Sequence, residues 1–326
     1  MPSPAVTVVI VNFNAGEHGV RCLKCLAEQS LKPERIMLVD NASSDGSLAA
    51  CRRLVAGDPR LASRTQVEPL STNIGFAAGS NHGISLAETE FVALLNPDAF
   101  AEPGWLEALV TAAEKYPACV AFGSRQMLAG SAGVLDGIGD RWHFCGLAWR
   151  EGHGRRLRPP DLEAREILSA CAAAALYRRA AVVEAGGFDE DYFCYGEDVD
   201  LGYRLRLAGH AARYVPEAVV EHVGGGSGAG CAATYYGHRN LVWTVVKNTP
   251  GAFVCPVLLA HLAQSILTGV ILGYRGRGGA FARGKWDAVK GLGRSWQKRR
   301  VVQARRQVSL WKIGMMWDLG CQRTGR

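Results

Sequence analysis

Apolar positions come in short unbroken blocks separated by polar stretches with helical spacing. Val6 to Phe13 is a continuous β-branched run of the kind that suits a central strand buried on both faces. Val20, Leu23 and Leu26 then recur at helical spacing up to Gln29. Arg35 to Val39 predicts a second strand ending at Asp40, and Leu48 to Leu54 a second helix. Phe91 to Leu95 predicts another buried strand, closed by Asn96, Pro97 and Asp98. Strands alternating with helices imply parallel pairing through right-handed crossovers, hence an α/β fold with an open, mostly parallel sheet flanked by helices. Such sheets bind ligands at the carboxyl ends of their strands. Asn12, Asn14, Asp40, Asn41, Asn96 and Asp98 all fall at or just beyond strand ends, so they are expected to converge on one crevice, although Asn and Asp also form turns for purely local reasons.

The pattern changes twice further on. Residues 130–170 are rich in Gly and Arg with weak periodicity, and are expected to form a long, partly mobile segment able to close over a substrate. Regular structure resumes over Ser169 to Ala185. Residues 248–274 contain no Lys, Arg, Asp or Glu and are mostly apolar from Ala252 to Tyr274. The expected division is therefore a catalytic domain over 1–247 and a C-terminal apolar helical segment with a basic arm over 248–326.

The chain has 326 residues, 48% hydrophobic and 21% charged, which excludes wholesale disorder and leaves room for a large core. Net charge is +7, yet residues 275–326 hold fourteen Lys/Arg against Asp287 and Asp318, so the rest of the chain is net acidic. A basic arm on an acidic body points to an anionic surface, membrane or nucleic acid. The arm carries no RNA-binding motif, and it mixes Trp286, Trp296, Trp311 and Trp317 with basic residues, as surface-lying helices do. Nucleic acid is therefore not the expected partner. The uncharged stretch is long enough to cross a bilayer, but a single crossing from the cytoplasm would export the basic arm against the positive-inside rule. An interfacial or re-entrant helix on the anionic inner face of the plasma membrane is the expectation. The competing reading is a hydrophobic hairpin used in a homo-oligomer contact.

Ten scattered cysteines suit a reducing cytoplasm. Cys22 and Cys25 form one C-x-x-C without a second pair, which does not predict zinc. No positive charge precedes the apolar run Val6 to Val11, so no export signal is expected.

The densest chemistry is Gly187 to Leu201, where Glu197, Asp198 and Asp200 fall in one helical turn anchored by Leu201 and Leu205. Acids oppose the positive end of a helix dipole for structural reasons alone. A carboxylate held there also stays ionised, as a general base must. Asn73 to Gly83 combines glycines with Asn73 and Asn81, and matches neither a Walker A loop nor a dinucleotide fingerprint. Asp98 stands where a carboxylate could hold a divalent cation against a diphosphate, since such ions need few protein ligands. His222 could be a second ligand.

Together these segments resemble family 2 glycosyltransferases of the GT-A fold, and within them a rhamnosyltransferase-like bacterial branch. The resemblance runs through Val9 to Asn14, Val39 to Ser47, Asn73 to Gly83, Asn96 to Asp98 and Gly187 to Leu201, in that order, and covers about residues 5–250. It implies donor binding by Asn14, Asp40, Asn41, Asn73, Gly79, Asn81 and Asp98, with Asp40 at the base. It also implies a metal, Mg²⁺ or Mn²⁺, at Asp98 and His222, and Asp198 as general base supported by Glu197 and Asp200. Asn96 departs from a stricter DxD pattern. The reaction implied is an inverting, metal-dependent transfer from a nucleotide-sugar donor, dTDP-rhamnose or alternatively a UDP-sugar, to a lipid-linked or cell-envelope glycan. Two other readings are weighed. A nucleotidyltransferase would need a Gly-rich phosphate loop that residues 11–21 lack. A non-catalytic membrane- or RNA-binding protein would be indifferent to Asp198.

Overall fold

The structure is a computed structural model and describes residues 4–224 and 230–318. Its first half alternates as expected: β1 (Val6–Asn12), α1 (His18–Ala27), β2 (Arg35–Asp40), α2 (Ser47–Gly57), α3 (Pro59–Ala62), β3 (Thr65–Pro69), α4 (Gly75–Leu86), β4 (Phe91–Leu95), β5 (Ala99–Ala101) and α5 (Trp105–Lys115). β4, β1, β2 and β3 lie side by side and parallel, with Asn12 in register with Asp40. The runs over β1 and β4 are buried at every position because helices cover both faces. On one side Leu23 and Leu26 of α1 pack with Trp105, Leu106 and Leu109 of α5. On the other, Ala77 and Ile84 of α4 join residues from later helices.

The second half makes the sheet mixed. β6 (Cys119–Leu128), β7 (Leu135–Gly137), β8 (Asp140–Trp142), β9 (Ala148–Arg150), β10 (Arg165–Ile167) and β11 (Ala174–Arg178) precede α6 (Arg179–Glu184), α7 (Glu197–Leu207) and β12 (Ala211–His222). β11 runs antiparallel between β4 and β6, and β12 pairs β6 in parallel. Residues 130–170, expected as a long, partly mobile segment, hold short strands. β7 joins β6, β8 and β9 form a hairpin, and β10 joins β12. Three-residue strands are too short to show a period. Their order comes instead from buried Trp142 and from paired charges, Arg155 with Asp161 (2.5 and 2.6 Å) and Arg141 with Glu151 (2.9 and 3.1 Å).

Among the described residues five helices follow: α8 (Cys231–Asn248), α9 (Gly251–Tyr274), α10 (Gly278–Lys290), α11 (Leu292–Ala304) and α12 (Leu310–Met316). Val199, Tyr203 and Leu207 of α7 share one apolar cluster with Val245, Val257, Val308, Ile313 and Trp317, so residues after 247 pack onto the α/β body. α9 is one helix of 24 residues, and it is the one helix among the described residues long and apolar enough to cross a membrane. It rests on the β8–β9 turn, where His261 Nδ1 meets the Cys145 carbonyl at 3.0 Å. Leu259, Leu262, Ile266, Leu267 and Val270 on its far side are more than half exposed.

Candidate active site

A cavity of about 770 Å³ opens at the carboxyl ends of β1, β2 and β4. Asn14, Asn41, Asn73, Asp98, Glu197, Asp198 and His222 all line it. Asn14 adopts a left-handed conformation (φ +49°) and its Oδ1 accepts from the Ser44 amide at 2.8 Å, which fixes the β1 exit against the β2 exit. Asn41 accepts from the Ile74 amide (2.9 Å) and donates to the Gly75 carbonyl (3.1 Å), which fixes the start of α4.

Three residues expected at the donor do not line the cavity. Asp40 is buried, and its carboxylate accepts from Asn12 Nδ2 (2.7 Å) and the Ser43 amide (3.0 Å). Gly79 lets α4 approach β1: a Cβ there would stand 2.9 Å from Val11 Cγ1. Asn81 donates to the Phe188 carbonyl (2.8 Å) and accepts from its amide (2.8 Å), tying α4 to the loop ahead of α7.

On the opposite wall the short strands supply residues that periodicity could not single out. His222, at the end of β12, lies between two carboxylates, with Nε2 3.3 Å from Asp98 Oδ1 and Nδ1 2.8 Å from Asp136 Oδ2. Burial opposes its protonated form, but the two carboxylates outweigh burial and raise its pKa to about 9. Arg150 of β9 donates to the same Asp136 oxygen at 2.5 Å, and Arg150 and His153 also line the cavity. The only hint of this wall in the sequence was an excess of Arg and Asp between 136 and 161.

Asp198 sits in the first turn of α7. Its Oδ1 accepts from the Val199 amide (2.8 Å) and its Oδ2 from the Ala172 amide (3.2 Å), so backbone donors orient the carboxylate. Glu197 beside it is buried, and burial, then the nearby Asp198, pushes its carboxyl well above the usual range. Burial and Asp198 do the same to Asp140. Asp200 points away from the cavity into an ionic cluster with Arg204 and Lys247, both 2.8 Å away.

A crevice at the carboxyl ends of parallel strands is where such sheets bind ligands, and the family comparison decides the class. Residues 7–185 match the family model described as glycosyl transferase family 2. The chain belongs to glycosyltransferase family 2. This family 2 enzyme is 32% identical over 242 residues to the N-acetylglucosaminyl-diphospho-decaprenol L-rhamnosyltransferase of Mycobacterium tuberculosis, covering 66% of the chain and 75% of that relative. It is 31% identical over 223 residues to the pre-mycofactocin glycosyltransferase of the same organism, covering 68% of the chain and 43% of that relative.

Two solved structures share the GT-A-like fold of this glycosyltransferase. One is the mannosyltransferase PcManGT from Pyrobaculum calidifontis with GDP-Man and Mn²⁺ (TM-score 0.55, 19% identity, 93% of this chain and 84% of that one). The other is GalNAc-T7 with UDP, GalNAc and Mn²⁺ (TM-score 0.61, 16% identity, 76% of this chain and 48% of that one). This chain spans about half the length of the latter.

The donor set fits a hard divalent cation. Asp98 and His222 face each other across 3.3 Å, and Asn96 Oδ1 on the same cavity wall is buried without a hydrogen-bond partner. Among the described residues no group of three or more His, Cys, Asp or Glu forms a cage. A cation here would therefore depend on ligand oxygens to complete its shell, as magnesium-like ions at diphosphates do.

Proposed function

We propose that the chain moves a sugar, L-rhamnose from dTDP-rhamnose as first candidate, onto a hydroxyl of a lipid-linked or cell-envelope glycan with inversion at the anomeric carbon. The observation that carries this reading is the placement of Asp198 in the same cavity as Asp98 and His222. Asp198 takes the proton of the acceptor hydroxyl as its oxygen bonds to the anomeric carbon. The bond from that carbon to the diphosphate oxygen breaks, and its electron pair leaves with the nucleoside diphosphate. Asp98 and His222, with Asn96 on the same wall, would hold Mg²⁺ or Mn²⁺, which when bound would supply positive charge against the leaving diphosphate. Asn14 and Asn73, whose side-chain oxygens accept from the Ser44 and Gly75 amides, offer their Nδ2 donors to the nucleoside, while Asn41, both of whose groups bond the start of α4, shapes the wall beside them.

The choice of sugar and acceptor is supported by the mycobacterial relative named for rhamnosyl transfer to a decaprenol-linked acceptor. A UDP-sugar is the second candidate donor, because a neighbour of the same fold holds UDP. We place the enzyme in the cytoplasm with residues 248–326 against the anionic inner membrane. Supporting this, α9 presents a row of exposed Leu and Ile, and Arg275, Arg277, Arg283 and Lys290 follow it in the chain.

The test is turnover of dTDP-rhamnose and of UDP-sugars by the wild type and by Asp198→Asn, with product anomer read by NMR. Loss of turnover in the variant with nucleotide binding retained is expected. Undiminished turnover in Asp198→Asn refutes the assignment of the base.

A further inference from the structure

The chain reaches Asp198 through a turn that side chains rarely tolerate. Phe193 (φ +63°), Tyr195 (φ +67°) and Gly196 (φ +83°) all lie in the left-handed region, and only the last is glycine. Two side-chain-bearing residues in that state within three positions persist only where the surroundings over-determine them. The surroundings here are α8. Asn240 Nδ2 lies 3.0 Å from the Tyr192 carbonyl, 2.9 Å from that of Cys194 and 2.7 Å from that of Tyr195. Three carbonyl oxygens can be served only by a donor, so the amide's orientation follows from its partners. Its Oδ1 accepts from Arg239 Nε at 2.9 Å, and Arg239 Nη2 donates in turn to the carbonyls of Asp191 (2.9 Å) and Tyr192 (2.8 Å).

Neighbouring turns of α8 reach the same segment. The Tyr236 ring stacks on Phe193 at 5.2 Å and 17°, and Thr244 Oγ1 meets the Tyr192 hydroxyl at 2.8 Å. From the donor side the Ala77 amide donates to the Phe193 carbonyl at 3.1 Å. Asn240 is 1% exposed and does not line the cavity, so it has no direct part in binding or chemistry.

We propose that Asn240 is a positioning residue for glycosyl transfer: its amide holds the left-handed turn 193–196 shut and so sets where α7 begins and where Asp198 points. This rests on the reading of Asp198 as base. A catalytic group displaced by about 1 Å can lose about a hundredfold in rate, and the clamp acts on that displacement rather than on affinity for the donor.

The experiment compares full-length wild type, Asn240→Ala and Asn240→Asp by amide hydrogen exchange and by kcat and KM for the sugar nucleotide that the wild type turns over. Asn240→Asp keeps the shape but presents a carboxylate to three carbonyls. Exchange is expected to accelerate by about tenfold or more over 192–199 and to stay unchanged in β1, β2 and β4. Turnover is expected to fall by about 10- to 100-fold at donor KM within about twofold, with Asn240→Asp no better than Asn240→Ala. Should Asn240→Ala not fold, Asn240→Ser, which keeps one hydroxyl donor, takes its place in the comparison. Unchanged exchange over 192–199, kcat within about twofold of wild type, or recovery in Asn240→Asp overturns the proposal. Full activity of Asp198→Asn would instead remove the base reading, and exchange over 192–199 then decides the clamp by itself.

Discussion

His222 sits with one ring nitrogen 2.8 Å from Asp136 Oδ2 and the other 3.3 Å from Asp98 Oδ1, so a carboxylate on β7 orients an imidazole toward the one carboxylate that Asn96-Pro97-Asp98 provides. Outer partners of this kind fix ring orientation and are typically worth about 10–100-fold in metal affinity. Asp136→Ala is therefore expected to weaken Mn²⁺ binding by about that factor, measured by titration calorimetry with UDP or dTDP present. Equal affinity in wild type and variant would mean that Asp136 has no such role.

Gly75 carries the second prediction. Its φ is +87°, and a Cβ there would stand 2.6 Å from the Phe193 carbonyl oxygen and ring. Gly75→Ala thus meets both backbone strain and a clash with the turn ahead of Asp198. The expected cost is about 1–3 kcal/mol in chemical denaturation, with turnover falling as well; a stability within about 0.5 kcal/mol of wild type would contradict the packing described.

Much of the strand-end wall of the cavity was legible because long apolar strands end in polar residues. β1, β2 and β4 lie where their β-branched runs predict, and Asn14, Asn41, Asn73 and Asp98 meet at their ends. Asp40, Gly79 and Asn81 share the same motifs but spend their groups on internal contacts, a distinction that spacing does not encode. The other wall was illegible for a physical reason. Asp136, Asp140 and Arg150 sit on three-residue strands, too short for alternation to be read from the sequence. Asn240 and Lys247 were hidden in a helix whose polar face looks solvated until α7 packs beside it.

Acid should act through the ionic cluster below α7. Asp189 is buried against Lys247 and Lys298; burial alone would raise its carboxyl, but the two ammonium groups outweigh this and lower its pKa to about 2. A depressed carboxylate pKa contributes stability that is complete above the unfolded value near 3.8 and is lost as pH falls through about 2. The contribution is about 2 kcal/mol. Asp189→Asn is therefore expected to be less stable than wild type at pH 5, with the gap narrowing between pH 4 and pH 2. A gap independent of pH would show that the cluster does not titrate in this way.

The exposed face of α9 makes a separate prediction. Leu262 and Ile266 are 60% and 64% exposed one helical turn apart. Replacing both by Glu should lower binding to phosphatidylglycerol vesicles by about tenfold or more, at an unchanged melting temperature. Co-sedimentation equal to wild type would rule out this face as the membrane contact.

Ligand-induced thermal stabilisation measures the proposed donor site most directly. UDP, dTDP, GDP and CMP are each added with Mn²⁺ or with EDTA to wild type and to Asp98→Asn. A ligand at a hundred times its Kd stabilises the fold by about 2.7 kcal/mol, enough to read as a shift in Tm. One nucleoside diphosphate is expected to raise the Tm of the wild type with Mn²⁺, to do so less with EDTA, and to fail to do so in Asp98→Asn. Stabilisation by no nucleotide under any condition, or equal stabilisation in wild type and Asp98→Asn, would contradict the proposed donor site.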